Sequence, residues 1–317
     1  MEISVSSMSS LIKPSPEILA IAKPVLKWAG GKTQLLPVLS ANYPKNLGTK
    51  IKKYIEPFFG GGAVFFDLYN SNLINESIIM DANPELILLY KTIKEQPDQL
   101  VEVLYKIQKK YLSLNESEKE KLYYEVRDDF NSKRNSKYNE VNPLRASQII
   151  FMNRTCFNGL FRVNSKGGFN VPHGNYKNPK ILDSENIYAV SKSFQIAEIL
   201  QGDFEDITLK IKSDDVFIYY DPPYRPLNET SNFNAYTGIF DDSHQIRLAK
   251  VFKNLDQKGV NQMLSNSDPM SATGDNFFDL LYKDFNISRV EAKRMINSIA
   301  TKRGKVFELL ITNYNAN

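Results

Sequence analysis

The chain has a single cysteine, Cys156, in 317 residues. One thiol cannot form an intramolecular disulfide, so a cystine-stapled fold is excluded. Histidine is nearly as scarce, with only His173 and His244, and no Cys/His set of the usual tetrahedral kind can be assembled; no metal is expected. No apolar run approaches the roughly 18 to 20 residues that a membrane-spanning helix needs. The first residues, Met1 to Ala22, mix Ser, Ile and Lys with two prolines and lack the continuous apolar segment of a secretory signal. They read as an extension, 1–22, of a protein that remains in the cytoplasm. Internal repeats and long low-complexity tracts are absent too.

What is present suits a soluble α/β protein. Hydrophobic residues make up 42% and charged residues 24%, enough for a substantial core. Lys plus Arg number 40 against 36 for Asp plus Glu, a net charge of +4, which tilts only slightly toward a polyanionic partner. The distribution says more: from Arg145 to Lys180 the chain carries Arg145, Arg154, Arg162, Lys166, Lys177 and Lys180 with no acidic residue.

A strand signal at Lys53 to Glu56 breaks at Pro57 into Gly60-Gly61-Gly62, and an apolar helix start follows at Ala63 to Leu68. Ser77 to Met80 is a short strand ending at Asp81, and Asn83-Pro84 supplies a cap and first helical position for Glu85 to Lys94. This order opens a doubly wound, mostly parallel α/β sheet of Rossmann-like kind. Amphipathic helical sequence runs from Gln96 to about Asn142, and a glycine-, asparagine- and aromatic-rich stretch from Asn153 to Lys180. Strand signals return at Ile196 to Leu200, Val216 to Tyr220, Val260 to Leu264, Ile287 to Glu291 and Val306 to Asn313. The pattern predicts a catalytic domain from 23–95 and 191–317, interrupted by a helical and hairpin insert at 96–190.

Asp221-Pro222-Pro223-Tyr224, directly after an apolar strand, is the most specific chemical signal. An amino group conjugated to an aromatic ring is a poor nucleophile because its lone pair is delocalised. A carboxylate and a backbone carbonyl accepting both N–H bonds draw the nitrogen toward tetrahedral geometry, and an adjacent ring stacks on the extruded base. Asp221, the Pro222 carbonyl and Tyr224 offer these three groups, and two prolines stiffen the turn. Taken alone, the string is equally an ordinary proline-rich strand end.

Phe58-Phe59-Gly60-Gly61-Gly62, with Asp81 nineteen residues beyond Gly62, fits a cofactor turn: glycines admit close approach and a downstream acid holds ribose hydroxyls. Phe65 stands where a dinucleotide fingerprint has its last glycine, and a tight turn packed on a helix gives the same spacing. Gly31-Lys32-Thr33 invites a phosphate-loop reading, but Leu26 occupies the position of the required first glycine. Cys156 has no Pro-Cys turn around it and reads as structural rather than as a nucleophile.

Together these motifs resemble the Dam-like family of DNA adenine-N6 methyltransferases. The likeness runs from Pro24 to Tyr314 through Lys27-to-Pro37, Glu56-to-Leu68, Asp81-to-Tyr90, Asn153-to-Lys180, Gly202-to-Glu205, Asp221-to-Leu227 and Ile296-to-Tyr314. It is strongest toward members that accompany restriction enzymes recognising GATC. The resemblance implies a class I fold that binds S-adenosylmethionine through Trp28, Lys32, Phe58, Gly60, Gly62 and Asp81. Asp203 and Phe204 would lie beside the cofactor's adenine, and Asp221 would serve both cofactor and catalysis with Pro222, Pro223 and Tyr224. It further implies double-stranded DNA as substrate and a cognate restriction endonuclease as functional partner. In the insert, Phe157 and Asn158 would wedge into the duplex, Arg162 would read a guanine edge and Leu160 and Pro172 would touch thymine methyl groups. Tyr176 and Lys177 would hold phosphate. Two positions depart from the family: Phe157 replaces the usual Tyr, and Asn175 stands where a phosphate-binding Arg is expected.

Other readings remain open at this level. The turn chemistry also permits methylation of cytosine at N4 or of adenine in RNA, and a DNA-binding relative without activity would share the fold.

Overall fold

The computed structural model describes residues 21–28, 30–133, 141–164, 166–225, 240–293 and 305–315. The extension up to residue 20 and the family-like positions 226–227 and 296–304 lie outside them.

Seven strands form one sheet: β1 (Lys53–Glu56), β2 (Glu76–Asp81), β3 (Ala197–Gln201), β4 (Val216–Tyr220), β5 (Asn261–Ser267), β6 (Asn286–Lys293) and β7 (Lys305–Thr312). Their order is β3-β2-β1-β4-β5-β7-β6. β1 is parallel to β2 and β4, β4 is parallel to β5, and β7 runs antiparallel between β5 and β6. This is the doubly wound, mostly parallel sheet that the sequence pattern implied. The helices of eight residues or more, among the described residues, are α1 (Ala63–Asn70), α2 (Pro84–Glu95), α3 (Pro97–Leu112), α4 (Glu116–Ser132), α5 (Pro143–Thr155), α6 (Ser184–Ser193) and α7 (Asp242–Asp256). None is long and apolar enough to cross a membrane.

β4 is buried on both faces along its whole length, which is why Val-Phe-Ile-Tyr-Tyr reads as an unbroken apolar run. α2 begins where the cap signal placed it: the Asn83 side chain accepts from the Glu85 N–H at 3.0 Å, with Pro84 in the first turn. β5 runs three residues past the expected Leu264, through Ser265, Asn266 and Ser267.

The chain divides into two compact units, one comprising 32–59, 63–82 and 200–317, the other 1–31, 60–62 and 83–199. In the first, α7 starts at Asp241, whose carboxylate accepts from the Ser243 and His244 N–H groups. Its residues Leu248, Phe252 and Leu255 pack with Ile55, Ile218, Tyr220 and Leu264 of the strands.

In the second, α3, α4 and α5 bury Leu100, Leu104, Tyr111, Tyr123, Ile149 and Phe151. Arg145, the first residue of the basic run, is 2% exposed. Its Nε donates to Glu85 at 3.0 Å, and its guanidinium lies 3.4 Å from the centre of the Phe130 ring. Arg154 is half-buried and its Nη2 donates to the Val25 carbonyl at 2.7 Å. Arg145 therefore belongs to the helical core and presents no charge to a polyanion, while Arg154 is partly engaged by the Val25 carbonyl.

Candidate active site

The parallel strands set the site. In a doubly wound sheet the crevice opens at the carboxyl ends of the strands, where the chain order reverses. β1 lies between β2 and β4, so Glu56, Asp81 and Asp221 all come to that edge. The Phe59 N–H donates to the Met80 carbonyl at 2.9 Å, tying the turn after β1 to the end of β2. Gly60 and Gly62 have φ of +47° and +71°, left-handed backbone that favours glycine.

Asp221 follows β4 with 20% of its side-chain surface exposed. Its Oδ1 lies 2.8 Å from Lys32 Nζ and accepts from the Ser265 hydroxyl at 3.1 Å. Ser265 in turn shares a 2.8 Å hydrogen bond with the Tyr219 hydroxyl. Burial pushes the Asp221 carboxyl up, and the Lys32 ammonium and the Ser265 hydroxyl pull it back. Both of these bonds fall on Oδ1. Of the two proline carbonyls, that of Pro223 accepts from Gln245 at 3.2 Å; that of Pro222 accepts none among the described residues.

Lys32 is 5% exposed, and its ammonium lies 4.6 Å from the centre of the Tyr224 ring. The Tyr224 hydroxyl donates to Glu308 Oε2 at 2.6 Å. Arg225 closes the turn: its Nε donates to Asp242 at 2.7 Å, it pairs with Asp275, and its carbonyl accepts from the Ser267 hydroxyl at 2.9 Å. The polar end of β5 thus serves the turn. A further carboxylate, Glu56, is 3% exposed and accepts from the Tyr54 hydroxyl at 2.9 Å. Burial pushes it well above the ordinary range; the Tyr54 bond opposes this, and the nearby Asp221 adds to it.

Beyond β3 an aromatic wall forms. Phe58 and Phe204 stack with centroids 5.4 Å apart, and the Phe240 ring meets Phe58 edge-on at 5.6 Å. Arg247 lies 4.7 Å from the centre of Phe204 and pairs with Asp203 and Glu205. The Asp203 side chain also accepts from the Glu205 N–H at 3.0 Å, so its carboxylate is committed to Arg247 and to its own turn. Sequence reasoning missed Phe240, Arg247 and Glu308. Phe240 precedes the Asp-Asp-Ser cap of α7, a signal that was available.

The other unit carries the remaining expected residues on one hairpin after α5. The Phe157 N–H donates to the Pro172 carbonyl at 2.9 Å and the Asn170 N–H to the Arg162 carbonyl at 3.1 Å. At the base of the hairpin, next to the end of α5, Phe157 is 54% exposed and Asn158 has φ of +58°. Arg162 is exposed and its Nε donates to Asn170 Oδ1 at 2.9 Å. Leu160 and Tyr176 are half-buried, while Pro172, Asn175 and Lys177 are exposed. All seven expected DNA-facing residues therefore belong to this hairpin and its exit. Lys27, which sequence reasoning passed over, joins them: its ammonium lies 5.3 Å from the Tyr176 ring centre. Asn153 bonds both the Lys27 and Gly159 carbonyls at 2.9 Å. Trp28 covers Gly60, where an added Cβ would come within 3.0 Å of the indole, and packs 5.7 Å from Phe161.

The family model for D12 class N6 adenine-specific DNA methyltransferases matches residues 28–296. The chain is similar to the Type II methyltransferase M.MjaIII of Methanocaldococcus jannaschii, with 50% identity over 295 residues, covering 92% of this chain and 99% of that protein. Similarity to the Type II methyltransferase M1.LlaDCHI of Lactococcus lactis is 44% over 295 residues, covering 92% and 95%. The DNA adenine methylase of Escherichia coli is 32% identical over 287 residues, covering 90% and 93%.

Proposed function

This chain belongs to the D12 class of N6 adenine-specific DNA methyltransferases, and on that premise we propose that it methylates the adenine of GATC in duplex DNA with S-adenosylmethionine as donor. The observation that carries the chemical part is the geometry of Asp221. Its Oδ1 is anchored by Lys32 and Ser265, which supports the reading in which Oδ2 and the Pro222 carbonyl accept the two N–H bonds of the target amino group. Tyr224 supplies the stacking face for the extruded base.

The strand-end groups fit the cofactor. Phe58, Phe204 and Phe240 form an aromatic surface of the kind an adenine ring packs on. Asp81 ends β2, where an acid holds ribose hydroxyls. Asp221 and Glu308 give the cleft carboxylates that suit a sulfonium cation. S-adenosylmethionine, when bound, supplies an activated methyl group; the residues of this chain orient the amino nitrogen, hold its protons and exclude water. Trp28, Lys32, Gly60 and Gly62 complete the proposed cofactor set. Asp203 takes part through its backbone and its hold on Arg247, since its carboxylate is already engaged. No residue is assigned a metal.

The insert 96–190 is proposed as the target-recognition region. Arg162 reads a guanine edge, Leu160 and Pro172 meet thymine methyl groups, Phe157 and Asn158 enter the stack, and Tyr176 and Lys177 hold phosphate. The relatives named Type II methyltransferases support a role as the modification partner of a cytoplasmic restriction endonuclease. The test is transfer of labelled methyl groups to duplexes with GATC or a scrambled site, with mass identification of the nucleoside. N6-methyladenine in the GATC duplex alone supports the proposal; label in both discards the recognition assignment. Labelled N4-methylcytosine, or label only on RNA, discards the substrate.

A further inference from the structure

We propose that Glu308 is a positioning residue for methyl transfer, acting through the Tyr224 hydroxyl to hold that ring in the plane in which it stacks on the target base. The inference rests on the reading of Tyr224 as the stacking residue. Nothing in the sequence motifs pointed to Glu308, which lies 84 residues further along the chain.

β7 brings it there. The strand pairs antiparallel with β5, and Glu308 stands opposite Ser267 at the carboxyl-terminal edge of the parallel strands. Its neighbours Leu309, Leu310 and Ile311 are buried and apolar, so a carboxylate here costs desolvation and contributes nothing to packing. Burial pushes its pKa up, with Lys32 and the Tyr224 hydroxyl opposing. Such a group persists where it has a partner to hold, and its partner is Tyr224 at 2.6 Å.

The two neighbours of Tyr224 constrain different motions. A phenolic oxygen lies on the axis about which the ring turns, so a bond to it stops the side chain swinging about χ1 and leaves ring rotation open. The Lys32 ammonium over the ring face, 4.6 Å from its centre, opposes that rotation because a cation is held at the face and not at the edge. Glu308 and Lys32 together fix the plane of the ring, and stacking on a flipped base requires a fixed plane.

The test is a set of variants assayed by single-turnover methyl transfer and by the fluorescence of 2-aminopurine at the target position, with DNA affinity measured alongside. Glu308→Ala is expected to slow transfer about tenfold, as loss of alignment does, and to alter the 2-aminopurine signal while affinity stays within about twofold. Glu308→Gln retains an acceptor oxygen and is expected to recover most of the rate. Tyr224→Phe lacks the tethered hydroxyl, so Tyr224→Phe combined with Glu308→Ala is expected to be no slower than the slower of the two single variants. Independent, multiplying losses would overturn the proposal, as would a Glu308→Gln as slow as Glu308→Ala, or a Glu308→Ala with normal rate. If Glu308→Ala does not fold, Tyr224→Phe removes the same tether from the other side and is expected to show the same loss of rate and change in 2-aminopurine signal. A Tyr224→Phe with normal rate would overturn the proposal. Tyr224→Ala separates the two claims: a normal rate there removes the stacking role itself, whereas a large loss there with a silent Glu308→Ala removes only the role of Glu308.

Discussion

Lys32 Nζ lies 2.8 Å from Asp221 Oδ1 and is almost wholly buried beside it. A buried ammonium next to a buried carboxylate stabilises the charged form of the acid. Burial raises the Asp221 pKa and Lys32 is the largest influence opposing that rise.

The ionised carboxylate is the form that accepts N–H bonds, so transfer should fail at low pH as Asp221 takes up a proton. Replacing Lys32 by Met removes the opposing charge and moves the acidic limb of the single-turnover pH–rate profile to higher pH. At neutral pH the rate is expected to fall on the order of tenfold or more. An acidic limb in the same place as in the wild type contradicts this coupling.

Glu56 makes a prediction about stability. Its folded-state pKa is raised, chiefly by burial, so between its unfolded and folded values the folded chain keeps a proton that the unfolded chain has lost. Its contribution is present in full below the unfolded pKa and is lost as pH rises through the folded one. Glu56→Gln should therefore flatten the fall in stability with rising pH, measured by denaturant unfolding across a pH series. A slope unchanged from the wild type contradicts the assignment.

Two arginines of the same basic run should behave differently. Arg145→Ala breaks a buried pair with Glu85 and is expected to destabilise the fold by about 3–5 kcal/mol. Arg162→Ala is expected to leave stability within about 0.5 kcal/mol and to relax preference at one base pair by about 1–3 kcal/mol. Even weakening by Arg162→Ala across all sequences would make it a phosphate-binding residue instead.

Lys177→Ala supplies the contrast. Removing an ammonium that holds phosphate should weaken binding to every sequence and lower the salt dependence by about one counterion. A change confined to one base position would refute its assignment to the backbone.

The sheet was legible where punctuation was local. Pro57 and the glycines closed β1, Asp221-Pro222 closed β4, and Asn83-Pro84 opened α2. Legibility failed where a local rule is broken for the sake of the site. The end of β5 reads as a loop because Ser265, Asn266 and Ser267 interrupt the apolar run, yet Ser265 bonds Asp221 and Ser267 holds the Arg225 carbonyl. Glu308 looks like a surface residue in a strand, and only the pairing of β7 with β5 brings it to Tyr224. Charge counting likewise missed that Arg145 is buried, since a run of basic residues carries no information on which side chains turn inward.

The central claim is that Asp221 draws the adenine amino group into reaction, and Asp221→Ala tests it most directly. The measurement is single-turnover methyl transfer to a GATC duplex, with S-adenosylmethionine binding followed by calorimetry on the same preparation. The account predicts loss of transfer by at least about a hundredfold with cofactor binding largely retained. Transfer at the wild-type rate, with the cofactor bound, would contradict it.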